Sequence, residues 1–454
     1  MTTRVASFLH FKIMATLPVL ALSVATTLAQ HEPGGGSTIQ LGDAATANVR
    51  GVSSSGGARP TIRRPAPSRA ASTRPVRRAR PVGPGRPSMD AEDYNEQGDA
   101  LLAAGKHEEA LAAYRQALRL KPDLAEAHYS IGWIYNELER YDEAINSLKQ
   151  ALRYQSLYPE AHNELGYAYR KLGRYSEAIA EYRQATSIKL DYDSAYIALG
   201  DIYYGNTKQY AEAIEAYRKG LNLKPDNAVA YHNIGWSYNE LKQYGPAIEA
   251  LNQAVRLKPD YAEAYNELGY ANFKLGTQQP EKSARATQYF AQAVTNYRKA
   301  ISLKPDLALA RTGLGDVYYY GTKQYAEALA AYRESLRLRP DNAGVLFNVG
   351  FALNDLGRFE EAFEPLRQAI RLKPEYAEAY NELGYAYRKL TRNNEAIEAY
   401  RQAIRLKPDY ATAHLSLGYA YLAVGNKRAA LEEHRILQTL KPEMAARLYA
   451  EINK

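Results

Sequence analysis

The sequence predicts an all-α protein, a solenoid of about ten stacked helical hairpins behind a long N-terminal segment, and three recurrences predict it. A glycine stands at Gly98, Gly132, Gly166, Gly200, Gly235, Gly269, Gly315, Gly350, Gly384 and Gly418, at successive spacings of 34, 34, 34, 35, 34, 46, 35, 34 and 34 residues. An alanine follows twelve or thirteen residues later in nine units, from Ala110 to Ala430, and as Ala293 in the expanded sixth. Most units close on Lys-Pro or Arg-Pro, as at Pro122, Pro225, Pro259 and Pro408. A fixed period of this length marks one supersecondary unit that buries its apolar face only by stacking on the next, so chain length does not count domains here.

The first element is an export signal over residues 1–29. Arg4 and Lys12 precede an apolar run at 13–28 that ends in small residues around Ala29, and no lysine or arginine follows until Arg50. An uncleaved membrane anchor is one alternative, although Pro18 interrupts a run slightly short of a bilayer span of about 20 residues, and an arginine-rich organelle transit peptide is a third reading. The second element, residues 30–89, is a linker rich in proline, glycine, serine and arginine, with seven prolines between Pro60 and Pro87 and no acid after Asp43. So little of it can be buried that it cannot repay its ordering entropy, which predicts disorder. The net charge of the chain is +8, yet residues 1–89 alone carry +10, which leaves −2 for the rest. A basic arm on a nearly neutral body is therefore expected, the arm being either a solvated spacer or a binder of anionic polymers through its ten arginines between Arg50 and Arg86.

The third element, residues 90–454, holds the repeats. In the unit around Gly166, His162, Leu165, Gly166 and Tyr169 form one helical stripe, and a second helix from about 176 to 188 presents Ala178, Tyr182 and Ala185. Gly166 is expected opposite those alanines, and a proline after each second helix forces the turn. Ser156 and Leu190 replace that proline, which predicts two looser junctions. A slower period overlies the short one: NELGYAYRKL at 163–172 returns at 266–275 and 381–390, so units two to ten are three copies of a triplet, with the first unit outside it. The sixth unit gains twelve residues near 276–291, with Pro280 expected to open a lengthened second helix whose Tyr289 and Phe290 either pack or project. A short closing helix begins at Pro442.

These units resemble the tetratricopeptide repeat family, whose motif carries an aromatic, a leucine, a glycine, a tyrosine, two alanines and a closing proline over 34 residues. The resemblance covers residues 91–442. It implies a right-handed α-solenoid whose first helices line a concave groove that holds a peptide or protein segment. The stripe of this sequence that would line such a groove begins one residue after each glycine, with Trp133, Tyr167, Trp236, Tyr270, Phe351, Tyr385 and Tyr419, and with Asp99, Asp201 and Asp316 in the remaining units. One turn further on, Asn136, Arg170, Lys171, Asn239, Asn354 and Arg388 fall on the same stripe, with Glu137, Glu240, Phe273, Lys274, Asp355 and Lys389 beside them. Tyrosine, tryptophan and arginine are the residues from which binding hot spots are most often built. The competing explanation is that these rings only pack between successive first helices.

Other classes fare worse in the sequence. Mixed charge along the stripe lacks the continuous basic track of a nucleic-acid site. The paired lysine and asparagine with which some family members clamp a peptide carboxylate are missing, since Asn95 with Asp99 and Tyr129 with Trp133 occupy those positions. With no cysteine the chain has no disulfide, thiolate nucleophile or thiolate-bound metal. His128, His162 and His414 take the core aromatic position and only His232 points toward the groove, so no metal site, cofactor or catalytic residue is assigned.

Overall fold

The computed structural model describes residues 89–454, and the signal and linker assignments lie outside them. The described chain is a run of α-helices from Ala91 to Ile452 without a strand among the described residues, arranged as ten hairpins and a closing helix. Nine first helices are thirteen residues or longer, and nine of the ten second helices have fourteen. The seventh first helix, Ala308–Asp316, continues as a π-turn, Val317–Gly321. The turn inside each hairpin needs one residue in the left-handed region, supplied by Gly105, Gly173, Gly357 and Gly425 and elsewhere by residues such as Glu139, Lys242 and Thr391.

Each first helix packs on its own second helix, and each second helix packs on the next first helix. Successive first helices also touch one another more extensively than successive second helices do. The stack therefore closes up on the first-helix side and fans open on the other, the curvature expected of an α-solenoid.

The recurring glycine faces the alanine backbone as expected in two units, where a Cβ on Gly132 or Gly235 would stand 3.3 Å from the Ala144 carbonyl or 3.1 Å from the Ala247 carbonyl, and it also faces a large side chain that the expectation did not include. A Cβ on Gly166 would stand 3.1 Å from the Tyr182 ring, one on Gly200 2.6 Å from Tyr217, and one on Gly235 2.4 Å from Leu251. The glycine thus makes room for the large residue of the second helix, and the buried alanines, such as Ala178 and Ala185, fill the space around it. Tyr114, Tyr182, Tyr217, Tyr332 and Tyr400 are fully buried as a result. In the tenth unit the place is taken by Leu448 of the closing helix Pro442–Ile452, which seals the end of the stack.

Three further expectations change. The junctions at Ser156 and Leu190 are as regular as the others: the second helices end at Tyr154 and Ile188, and Gln155 and Lys189 adopt the same extended geometry that Lys121 does before a proline. In the sixth unit Pro280 does not open the second helix; Ser283 caps the helix Ala284–Leu303 by accepting from the Ala286 amide, 3.1 Å away. The insertion packs, because Phe290 is buried beside Phe273 and fills the space over Gly276 and Gly321. The first unit shares one contact with units four and seven: its Asp99 accepts from the Tyr114 hydroxyl at 2.7 Å as Asp201 and Asp316 accept from Tyr217 and Tyr332 at 2.8 Å.

Candidate functional site

The face formed by the first helices carries the stripe singled out in the sequence, and its members divide into three kinds. Trp133, Tyr167 and Trp236 are half-buried. Each meets the opening residue of the preceding second helix edge to face: His107 lies 6.4 Å from Trp133, Tyr141 6.4 Å from Tyr167, and Tyr210 5.4 Å from Trp236. Tyr270, Phe351 and Tyr385 are buried, with Tyr244 and Phe359 packed on the two tyrosines and Tyr319 packed on Phe351. For these three, packing between units accounts for the ring.

The asparagines belong to the architecture as well. The Asn136 amide donates to the Glu164 carbonyl and to its carboxylate, both at 3.0 Å. Asn239 donates likewise to Glu267, and Asn354 to Glu382. All six side chains are buried, so the expectation that Asn136, Asn239 and Asn354 present themselves to a ligand is corrected: each ties the first helix of its unit to that of the next. A buried carboxylate repays its desolvation only when it is hydrogen-bonded, which is what the asparagine supplies. Burial pushes the Glu382 carboxyl up to about 8, against the hydrogen bonds from Asn354 and Asn381. The sequence signal was present, since Asn136, Asn239 and Asn354 each precede a Glu by 28 residues, but only cross-unit geometry reveals its meaning.

The charged members remain accessible. Lys171 is exposed, Arg170 and Arg388 are half-buried, and Arg170 lies 3.4 Å from Asp201 of the next unit. Lys171, Lys274 and Lys389 sit 5.6, 5.3 and 5.4 Å from the ring centroids of Tyr167, Tyr270 and Tyr385. The histidines are clasps at the inter-unit turns: His162 and His414 each lie 2.6 Å from a second-helix carboxylate, Glu181 and Glu433, and His128, His162 and His414 each reach the carbonyl of the preceding turn. His232 stacks near Tyr261 at 4.9 Å, and burial lowers its pKa.

A family model described as TPR repeat matches residues 98–138, 132–173, 166–206, 207–238, 235–276, 285–321, 319–357, 352–391 and 384–425. The chain belongs to the TPR repeat family. The only break in that coverage falls in the sixth-unit insertion, where the TPR spacing itself breaks. Among curated proteins, a 52-residue stretch is 44% identical to the protein O-mannosyl-transferase Tmtc3 of Drosophila melanogaster, covering 12% of this chain and 6% of that one. Such a length is one and a half TPR units, so it reports repeat sequence and nothing about transfer chemistry. Among solved structures, MamA is 28% identical over 37% of this chain and 96% of its own, with a TM-score of 0.34. YrrB, described as a TPR protein with an unusual peptide-binding site, is 27% identical over 38% of this chain and 90% of its own, with a TM-score of 0.36. The C-terminal part of a TPR protein from Cytophaga hutchinsonii is 20% identical over 56% of this chain and 98% of its own, with a TM-score of 0.45.

Proposed function

We propose that this TPR chain is a non-catalytic scaffold that holds a polypeptide segment against the face formed by its first helices. TPR repeats are a general protein-interaction fold, and the observation that carries the proposal is the half-buried row Trp133, Tyr167 and Trp236 beside Arg170 and Lys171. Large rings with one face packed and one edge open are what anchor a partner at low entropic cost. The site is accordingly narrower than the sequence suggested: Trp133, Tyr167, Arg170, Lys171, Trp236 and Arg388 are the contacts, and the buried members support them. Affinity capture with residues 89–454 tests this reading. A partner held by the wild type and lost from the Trp133→Ala and Trp236→Ala variants supports it; capture indifferent to both changes would refute it.

A second reading rests on the ten arginines of residues 50–86, which suit an anionic polymer held with affinity that falls steeply as salt rises. Deleting residues 30–89 abolishes such binding and leaves groove binding intact. We also propose export, with the mature chain beginning near Gln30. N-terminal sequencing that recovers Met1 on soluble cytoplasmic protein would overturn it.

A further inference from the structure

The buried apolar core does not run unbroken from end to end. One cluster extends from Leu102 in unit one to Val317 in unit seven, and a second extends from Tyr319 to Ile452. Among the described residues, half-buried Tyr320 is the only large side chain packed against both. The division falls inside one helix. Ala308–Asp316 is α-helical for nine residues and then gives way to the π-turn Val317–Gly321, where the Thr322 amide donates five residues back to the Val317 carbonyl at 3.0 Å. The sequence supplies the cause: Tyr325, which opens the second helix, follows Gly315 by ten residues, whereas Tyr175 follows Gly166 and Phe359 follows Gly350 by nine. Unit four carries the same extra residue, with Tyr210 ten after Gly200, yet its first helix stays α-helical through Gly205 and its core stays continuous. In unit seven the extra residue is taken up within the helix, and π-turns of this kind recur at functional positions.

The packing around this turn differs from that of the other units. Tyr297 of the sixth second helix lies against Gly313, where a Cβ would stand 2.3 Å from the ring, and Phe290 lies against Gly321, where it would stand 2.8 Å away. A ring against a glycine meets no side-chain ridge, so it resists sliding less than interdigitated side chains do. Ser335 stands where seven other units bury an alanine near the end of the second helix. Its hydroxyl donates to the Ala308 carbonyl at 3.0 Å and lies 2.7 Å from the Thr312 hydroxyl. Polar groups thus take the place of apolar contact within unit seven, and apolar burial is what holds the stack together elsewhere.

We propose that the π-turn Val317–Gly321 is a hinge between two stiff segments, units one to six and units eight to ten, and that bending there opens and closes the first-helix face. Trp133, Tyr167 and Trp236 ride on the first segment and Arg388 on the second, so the bend sets the distance between them. A hinge needs a few residues that absorb a backbone change between bodies that stay packed, and the turn supplies them with Gly313, Gly315 and Gly321 around it. The hinge stands on packing within the chain and holds whether or not a partner occupies the groove.

The chain has no cysteine, so two introduced cysteines carry the only spin labels. Ala112→Cys with Glu215→Cys spans units one to four inside the first segment, and Glu249→Cys with Glu364→Cys spans units five to eight across the hinge; all four positions are exposed on second helices. Double electron-electron resonance on the full chain should return a distance distribution about twice as broad across the hinge as within the segment. Deleting Tyr320 restores the nine-residue spacing and should narrow the hinge pair to the width of the control pair, which itself stays unchanged. Equal widths for the two pairs in the chain that keeps Tyr320 overturn the proposal, whether or not the deletion folds. A deletion that folds and leaves the hinge pair broad places the bending elsewhere and overturns it as well.

Discussion

Replacing Asn239 by alanine distinguishes a ligand contact from an architectural tie. The side chain is buried and donates twice across a unit boundary, to the Glu267 carbonyl at 3.3 Å and to its carboxylate at 3.0 Å. A hydrogen bond to a neutral acceptor contributes about 1 kcal/mol and one to a charged acceptor about 1.5 to 3, so the loss should be roughly 2.5 to 4 kcal/mol. Glu267 keeps the Asn266 amide at 3.2 Å, which places the effect toward the lower end. Urea unfolding followed by circular dichroism reads it, and a double-mutant cycle with Glu267→Gln should return a coupling of about 1 kcal/mol or more. Because stability in a repeat array is carried by nearest-neighbour interfaces, the unfolding transition should also broaden as the stack weakens between units five and six. If Asn239→Ala unfolds like wild type and loses only partner affinity, Asn239 is a ligand contact and the tie is wrong.

Other consequences follow from the same packing. Phe351→Ala should destabilise by about 3 to 5 kcal/mol with or without partner, as aromatic truncations in cores do, whereas Trp236→Ala should cost partner affinity about 2 kcal/mol or more; thermal melts and titrations on both variants check this. Gly235→Ala places a methyl 2.4 Å from Leu251 and 3.1 Å from the Ala247 carbonyl, and should cost about 1 to 3 kcal/mol by overpacking, readable as a lowered urea midpoint. Glu382, pushed up to about 8 from its ordinary 4.5, favours the fold in its protonated form, so its contribution is complete below about pH 4.5 and is lost as pH rises through 8. Urea midpoints at pH 5 and pH 8.5 should therefore fall less for Glu382→Gln than for wild type, and equal declines would remove Glu382 as the cause.

The fold was legible because one period dictates it. Gly98 to Gly418, the alanines from Ala110 and the turn prolines each mark a position that tolerates few alternatives; the second helix expected at about 176–188 runs Tyr175–Ile188 and the closing helix begins at Pro442, whereas the sixth second helix begins at Ala284 and not at Pro280. What the glycine faces was not legible, since periodicity places Gly166 and Tyr182 on facing stripes without giving the depth at which they meet. The site was half legible. Spacing correctly put Trp133, Tyr167 and Trp236 on one face, but it could not tell a half-buried Trp236 from a buried Phe351 one triplet later, because that difference depends on what neighbouring units bring over the ring. Asn239 misled for the same reason: a polar residue on a predicted surface stripe reads as exposed until a glutamate 28 residues away is seen beneath it.

The central claim, that partners are held on the first-helix face, is tested most directly by placing a photo-crosslinking amino acid at one position on each side of the solenoid. Residue 171 is exposed on a first helix, beside the aromatic row and not one of its rings, and residue 215 is exposed on a second helix. With the captured partner present, irradiation should yield a crosslinked species from position 171 and none from 215. A crosslink from 215 with none from 171 would place the partner on the outer face and contradict the account.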